Sequence, residues 1–189
     1  DFDGRDAYDQ DYLAEISLKS VDVNVRREAV ENLTDQALLA KVAINSLDWC
    51  VRLTAVENLT DQDMLAKVAV EAEDDYRRRE AVEKLTDQAM LAKVANEAKE
   101  ADARLNALEK LTDQSILASF ANDAEDLEIR RVAVRNITDQ AMLARLAVED
   151  EDAKVRLQAT WNLTDRATLA KVARDAKDMD VRGSVEEKL

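Results

Sequence analysis

The chain has 189 residues, of which 47% are hydrophobic, and it contains two glycines, one cysteine, no proline and no histidine. Its 41 acidic and 27 basic side chains give a formal net charge of −14, which argues against binding to nucleic-acid phosphates or to an anionic membrane. The missing histidine excludes Ser-His-Asp catalysis and His-based metal sites, and a single cysteine excludes an internal disulfide. We therefore predict a protein of a reducing compartment such as the cytoplasm, which is not an enzyme and uses no metal or cofactor.

The first eight residues, Asp1 to Tyr8, are acidic, and we interpret residues 1–8 as a leader ahead of the folded part. Residues 9–16 repeat the apolar pattern of residues 35–42, which lie 26 positions later. We interpret them as the start of a degenerate first unit, because terminal units of a repeat array lack a neighbour on one face.

A 26-residue motif then recurs, with its Thr-Asp start at residues 34, 60, 86, 112, 138 and 164. From Thr34 to Leu59, apolar residues at helical spacing predict one helix running to about Ser46 and a second ending near Leu59. The Thr34 hydroxyl is expected to cap the first helix, and Asp48 to cap the second. Asn58 is expected to end the second helix in the left-handed conformation, because no glycine is present there.

Links this short force neighbouring helices to run antiparallel, so each unit is predicted to be a helical hairpin. One hairpin buries too little apolar surface to offset the ordering of its own chain, and stacked neighbours must supply the rest. We therefore predict an all-α fold, a right-handed α-solenoid of about seven stacked helical hairpins in a single array over residues 9–189, with the last unit incomplete. In that unit Val181, Val185 and Leu189 are expected to form an apolar edge available for end-to-end self-association.

Two charged columns keep the same sign in every unit. An acidic residue stands at the start of each second helix, and an arginine follows four positions later. We predict a structural ladder of partly buried ion pairs, since an arginine buried without its partner would be costly. The predicted members are Asp22, Arg26, Asp48, Arg52, Asp74, Arg78, Glu100, Arg104, Asp126, Arg130, Asp152, Arg156, Asp178 and Arg182.

The pattern Asp-x-x-Val-Arg-x-x-Ala-Val-x-x-Leu in residues 48–59 resembles the second helix of HEAT and HEAT-like repeats. The resemblance extends from about Tyr12 to Leu189, and it implies that the acids and arginines bond along the array while the second helices line a concave surface. The unit is shorter than the usual HEAT length, and the proline often found in the first helix is missing. The leucine-rich variant repeat is the alternative relative, although its iron–sulphur cluster needs cysteines that this chain lacks.

The exposed face of the second helices varies between units, whereas the first helices repeat an outward-facing glutamine such as Gln36. A column that varies is not constrained by the fold, and Trp, Tyr and Arg are the residues that most often anchor interfaces. Leu157 and Trp161 are expected to touch across one helical turn, and Tyr76 and Arg79 to form a second cluster. The predicted partner-binding residues are Leu53, Tyr76, Arg79, Leu105, Arg131, Arg135, Leu157 and Trp161.

These residues predict a non-catalytic scaffold that binds a protein or peptide on the concave face, with no nucleic-acid or membrane partner. One alternative is a HEAT-like enzyme, or a lyase or chaperone, which would need a deep pocket with convergent polar groups. Another is an engineered or purely structural array without a natural ligand, which the similarity of the units allows. Trp49, at the start of a second helix, is expected to pack against the link of its own hairpin rather than against a ligand.

Overall fold

The structure, a computed structural model, describes residues 9–189, so the predicted leader over residues 1–8 lies outside the described residues. Within residues 9–189 the chain forms fourteen helices and no strand, and the predicted all-α class is confirmed. None of these helices is long and apolar enough to cross a membrane. In chain order they are α1 (Gln10–Lys19), α2 (Val23–Glu31), α3 (Gln36–Asn45), α4 (Trp49–Asn58), α5 (Gln62–Glu71), α6 (Asp75–Lys84), α7 (Gln88–Glu97), α8 (Ala101–Glu109), α9 (Gln114–Asp123), α10 (Leu127–Asn136), α11 (Gln140–Glu149), α12 (Ala153–Asn162), α13 (Arg166–Asp175) and α14 (Met179–Glu186).

The helices pack in sequential order within two compact parts of the chain, one ending at Ala107 and the other spanning Leu108–Leu189. In the first part, α1 packs on α2, α3 on α4 and α5 on α6. The first helices α1, α3, α5 and α7 also pack on one another in turn, as do the second helices α2, α4 and α6. In the second part, α9 pairs with α10, α11 with α12 and α13 with α14, and the second helices α10, α12 and α14 again pack in turn.

The core lies between the first and second helices of each unit. The side chains of Leu39 and Val42 in α3, and of Val51 and Ala55 in α4, are fully buried. Their spacing of three and four residues places them on the inner side of a helix. The leucine at the centre of this core is at most 3% exposed in every unit, at Leu13, Leu39, Leu65, Leu91, Leu117, Leu143 and Leu169.

An aspartate, not the threonine before it, caps each first helix. The carboxylate of Asp35 accepts a hydrogen bond from the backbone N–H of Leu38 at 2.9 Å, and its backbone is extended at φ −63° and ψ 119°. The prediction that Thr34 is the cap is wrong, because the ionised carboxylate is the stronger acceptor at the positive end of the helix. In the second helix Asp48 accepts from the backbone N–H of Cys50 at 2.9 Å, which confirms the predicted cap.

The second helices end without a left-handed residue. Leu59, which follows α4, is extended at φ −71° and ψ 132°, and no residue other than glycine in the described range has a positive φ. The prediction that Asn58 adopts the left-handed conformation is therefore wrong. An extended residue is sufficient because the fully buried side chain of Leu59 holds the chain at the core while it turns towards the next cap.

The last carbonyls of a second helix receive a side chain from the following unit. Lys84 Nζ donates to the carbonyl of Val56 at 2.9 Å. Asn162 Nδ2 occupies the equivalent position and donates to the carbonyls of Val134 at 2.9 Å and Arg135 at 2.7 Å. The carbonyls of Val56 and Val134 also accept from the backbone N–H of the residue that follows their helix, at 3.1 and 3.2 Å, but no further turn of helix supplies donors to the carbonyls at this end. The Asn or Lys near the end of one second helix therefore closes the end of the preceding one.

A glutamine at the start of the first helices α1, α3, α5, α9 and α11 joins each of them to the next unit. Gln36 Oε1 accepts from the backbone N–H groups of Thr60 at 2.8 Å and Asp61 at 3.0 Å. The outward-facing glutamine is engaged by the fold, because the unpaired N–H groups ahead of the next first helix offer it donors. Equivalent bonds are made by Gln10, Gln62, Gln114 and Gln140.

The predicted apolar edge of the last unit is also largely absent. Val181 and Val185 are fully buried, and of the three expected edge residues only Leu189 is exposed, at 42%. The expectation is wrong for the two valines because α14 packs on both α12 and α13, which cover its apolar side.

Replacing Gln62 by alanine should lower the thermal stability of the chain, because the backbone N–H groups of Thr86 and Asp87 would lose their acceptor. We expect a loss of about 1–2 kcal/mol, measured by thermal unfolding followed by circular dichroism. Lys67→Ala, an exposed position on the same helix, is the control and should change stability by less than about 0.5 kcal/mol. Equal effects of the two changes would show that the glutamine contacts contribute nothing.

Candidate partner-binding face

The charged columns tie each second helix to the next unit. The guanidinium of Arg26 donates to Asp48 at 2.7 Å. Asp48 also caps its own helix, so its carboxylate serves two units at once. Contacts of the same kind, each from one unit to the next, join Arg52 to Asp74 and Arg156 to Asp178.

Two arginines reach a neighbouring acid instead of the predicted one. Arg78 approaches Asp102, at 3.8 Å, which lies two residues after the predicted acid. Arg130 pairs with Asp150, which lies two residues before the predicted acid. The remaining acidic members lie at the start of second helices, where Asp22, Asp126 and Asp152 act as caps and Glu100 is exposed; Arg182 is exposed as well.

The same arginines hold the link that precedes their helix. Arg78 donates to the carbonyls of Ala72 at 2.9 Å and Glu73 at 2.7 Å. These carbonyls belong to the end of the first helix, where no backbone donor is available. The arginines that make this link contact are Arg26, Arg52, Arg78, Arg104 and Arg156. These recurring contacts explain, from the needs of the fold alone, why an arginine is repeated at this position, and no ligand is required.

The ladder also makes the stability of the fold depend on pH. The hydrogen bond from Arg26 holds the pKa of the Asp48 carboxyl below its usual range, and the bond from Arg156 does the same for Asp178. A lowered pKa in the folded chain means that the stabilisation is complete above the usual pKa of an aspartate. It is lost as the pH falls through the lowered values, when the carboxylates take up protons.

The eight predicted face residues all lie on second helices. In the first part of the chain, Tyr76 is 56% exposed, Arg79 is exposed, and Leu53 and Leu105 are half-buried. The cation next to the Tyr76 ring is Arg77, whose guanidinium carbon lies 5.0 Å from the ring centroid. The predicted Tyr76–Arg79 cluster therefore has a different arginine beside the ring.

Arg77 occupies a position that is apolar in the other units. Its side chain is only 3% exposed. It donates to the carbonyl of Trp49 at 2.9 Å, and its Nε is buried without a hydrogen-bond partner. The equivalent residues are Val25, Val51, Ala103, Ile129, Val155 and Val181. The break in this apolar column is visible in the sequence and would have located the residue, which sequence reasoning missed.

Glu80 lies one turn after Arg77 on α6, and its Oε2 is buried without a hydrogen-bond partner. Burial, and then the nearby charge of Glu57, raise the pKa of its carboxyl. Lys84, one turn further, has its pKa lowered by burial. The side of α6 next to α4 is thus a row of partly desolvated charges.

In the second part of the chain, Leu157 and Trp161 lie one turn apart on α12. Leu157 is half-buried, whereas Trp161 leaves 60% of its surface exposed. An indole this exposed contributes little to the core and offers a large apolar surface to a partner.

The arginines of α10 are already paired. Arg131 contacts Glu128 at 2.7 Å, and Arg135 contacts Glu109 at 2.7 Å. These exposed pairs are weak, but they give each of the two arginines an acidic neighbour. The charges of both predicted face residues on α10 are therefore compensated.

The expectation that Trp49 packs against the link of its own hairpin is wrong. Its side chain is 61% exposed, and it lines an open cleft with Val23 and Leu47. Its position at the first residue of α4, beyond the core positions, leaves the indole without a covering element.

Comparison with protein-family models finds no match to this chain, and a search of curated proteins finds none either. The resemblance to HEAT-like repeats therefore depends on the residue pattern. Among residues 9–189, no group of three or more acidic, histidine or cysteine side chains is placed to hold a metal ion.

Replacing Arg78 by alanine should destabilise the chain by about 2 kcal/mol, because two link carbonyls would lose their donor. Arg79→Ala is the matched control, since Arg79 is the next residue on the same helix and is exposed. Thermal unfolding should show a clearly lower Tm for the first variant and a change of less than about 0.5 kcal/mol for the second. Similar shifts would mean that the ladder does not support the links.

Glu80→Gln should stabilise the chain at neutral pH, by on the order of 0.5 kcal/mol. A raised pKa means that Glu80 favours folding only when protonated, and this contribution is lost as the pH rises through the raised value. The glutamine stays neutral, so its advantage should vanish below the usual pKa of a glutamate. Thermal unfolding across this pH range measures the effect, with the exposed Glu71→Gln as control. A gain that does not depend on pH would contradict the interpretation.

Proposed function

We propose that this chain is a non-catalytic scaffold that binds a protein or peptide along the face of its second helices. In this proposal the hairpins of residues 9–189 stack into a right-handed α-solenoid of the HEAT-like type. The second helices line its concave surface, and the partner lies across several of them.

The observation that carries the proposal is the contrast between columns engaged by the fold and columns that are not. Gln36, Arg52 and Lys84 represent three columns whose side chains bond to a neighbouring unit or to a link. Their recurrence is explained by the helix ends that they satisfy. The fold leaves the exposed second-helix positions free to vary.

Large aromatic side chains occupy two of these free positions. Trp161 and Tyr76 are 60% and 56% exposed, and neither forms part of the core of its unit. Exposed Trp and Tyr on a rigid helix lose little entropy on binding and bury a large area, which is typical of binding hot spots. Leu157, half-buried beside Trp161, extends the apolar surface by one turn.

A second candidate is a purely structural or engineered array without a natural ligand. The close repetition of the glutamine contact, from Gln10 to Gln140, favours it, because every unit then solves the same structural problem in the same way. The two candidates differ in whether the second-helix face selects a partner.

The proposal is tested by selecting a displayed library of random peptides on the immobilised full chain. The selection should enrich peptides that bind the variant carrying Trp161→Ala and Leu157→Ala about tenfold more weakly, or worse, than they bind the unaltered chain. Trp161→Ala alone, at a largely exposed position, keeps the test valid if the double variant is less stable. Met179→Ala, which removes another exposed apolar side chain (78% exposed) in the same part of the chain, is the control and should leave affinity unchanged.

Selected peptides that bind the double variant as tightly as the unaltered chain would contradict the proposed face. A selection that enriches no peptide sensitive to Trp161 would favour the structural array instead.

A further inference from the structure

Four apolar side chains stand exposed on the first two hairpin links and on the first residues of the helices that follow them, and we name these four the link surface. Val21 and Leu47 are 97% and 98% exposed, and Val23 and Trp49 are 44% and 61% exposed. Scattered apolar residues are ordinary on a protein surface, but a contiguous group of this size typically marks an interaction site.

The link surface is contiguous. Val23, Leu47 and Trp49 line one open cleft between the first and second links, together with the aliphatic Leu18. Val21 lies on the first link, two residues before Val23, and is almost fully exposed beside the cleft. The cleft belongs to the first part of the chain and lies at the links, so it is separate from the second-helix face that carries Trp161.

The ladder arginines hold both links in place. Arg26 donates to the carbonyls of Ser20 at 2.7 Å and Val21 at 3.2 Å, and Arg52 donates to Ser46 at 2.6 Å. Arg26 also pairs with Asp48, and Lys19, the other charged residue that lines the cleft, pairs with Glu15. The exposed side chains therefore project from an ordered backbone, which lowers the entropy that a partner must overcome.

The fold does not require apolar residues at these positions. The residue equivalent to Val21 and Leu47 is charged in every later unit. The residue equivalent to Val23 and Trp49 is an aspartate, an alanine or one large apolar side chain in those units. The later pairs are Glu73 with Asp75, Lys99 with Ala101, Glu125 with Leu127, Glu151 with Ala153, and Lys177 with Met179. The link surface is thus specific to the first two units.

The next link along is acidic. Glu73 and Asp75 are exposed, and neither takes part in an ion pair among the described salt bridges. A ligand that covers the apolar cleft therefore meets negative charge one unit further on. Positive charge on the ligand at that end would be favourable, and negative charge would be repelled.

The overall charge narrows the class of partner. A second copy of the chain would bring a net charge of −14 against −14, and an anionic membrane would be repelled in the same way. A peptide segment with apolar side chains at one end and Lys or Arg at the other matches both halves of the surface.

We propose that the link surface binds such a segment in an extended conformation. Packed neighbouring helices lie about 10 Å apart. An extended segment in the polyproline-II conformation advances about 3.1 Å per residue with three residues per turn, so side chains three residues apart face the same side. The segment then carries two apolar side chains about three residues apart, over the first and second links. A Lys or Arg follows about three residues further on, opposite Glu73 and Asp75.

The test uses the full chain with Trp161→Phe, which leaves Trp49 as the only tryptophan. Short synthetic peptides with the apolar–apolar–basic pattern are titrated against it. Binding should shift the emission of Trp49 to the blue, because the indole loses contact with water. Peptides with Glu in place of the Lys or Arg, or with Ser in place of the apolar residues, should bind about tenfold more weakly or worse.

Leu47→Glu should also weaken binding by about tenfold or more, and its side chain is too exposed for the change to disturb the fold. Met179→Glu is the matched control, since Met179 is an exposed apolar residue at the same position as Trp49 in the last unit. It should leave binding unchanged.

Three results would overturn the proposal. The first is that no peptide of the apolar–apolar–basic pattern shifts the emission, and the second is that the acidic version binds equally well. The third is a dimer, seen by sedimentation over a concentration range, that Leu47→Glu abolishes, since this would assign the link surface to a second copy. None of these results bears on the proposed role of Trp161, because that residue is already replaced.

Discussion

The structure depends on the supply of hydrogen-bond partners to helix ends by neighbouring units. Its helices are eight to ten residues long, and each helix leaves four N–H and four C=O groups without a partner inside it. In helices this short, most backbone polar groups belong to an end. Gln36 serves the start of the next first helix, Arg52 serves the link, and Lys84 serves the end of the preceding second helix.

This constraint explains which positions repeat and which vary. A side chain that closes a helix end in an adjacent unit cannot change without exposing buried backbone groups to the cost of desolvation. The contact between α4 and α6 shows how far variation extends. Arg77 places a charge where the other units are apolar, and Glu80 adds a second partly buried charge one turn later. Arg77 is accommodated because the carbonyl of Trp49 accepts from its guanidinium, and the next residue in the column, Ala103, is the smallest.

The two candidate surfaces lie on different parts of the same scaffold, and the scaffold holds each of them in a different way. The second-helix face presents Trp161 from a helix whose other side is committed to the core. The link surface presents Leu47 from a short link and Trp49 from the first residue of α4, and Arg52 holds this link by its bond to the carbonyl of Ser46. The periodicity and the exposed columns of the second-helix face are readable from sequence. The link surface was not predicted, because nothing in the sequence distinguishes the apolar residues Val21 and Leu47 from the many other apolar residues of a helix-rich chain.

The sequence by itself determined the helical class, the 26-residue period, the core leucines and the aspartate caps of the second helices, because these follow from spacing within one unit. Only the tertiary structure decided the roles of Gln36, Asn162 and Thr34, and the exposure of Trp49. The bonding partners of Gln36 lie 24 and 25 residues away, and those of Asn162 lie 27 and 28 residues away. Local pattern assigned these polar residues to solvent or to their own helix, because a contact between units leaves no mark on the residues adjacent in sequence.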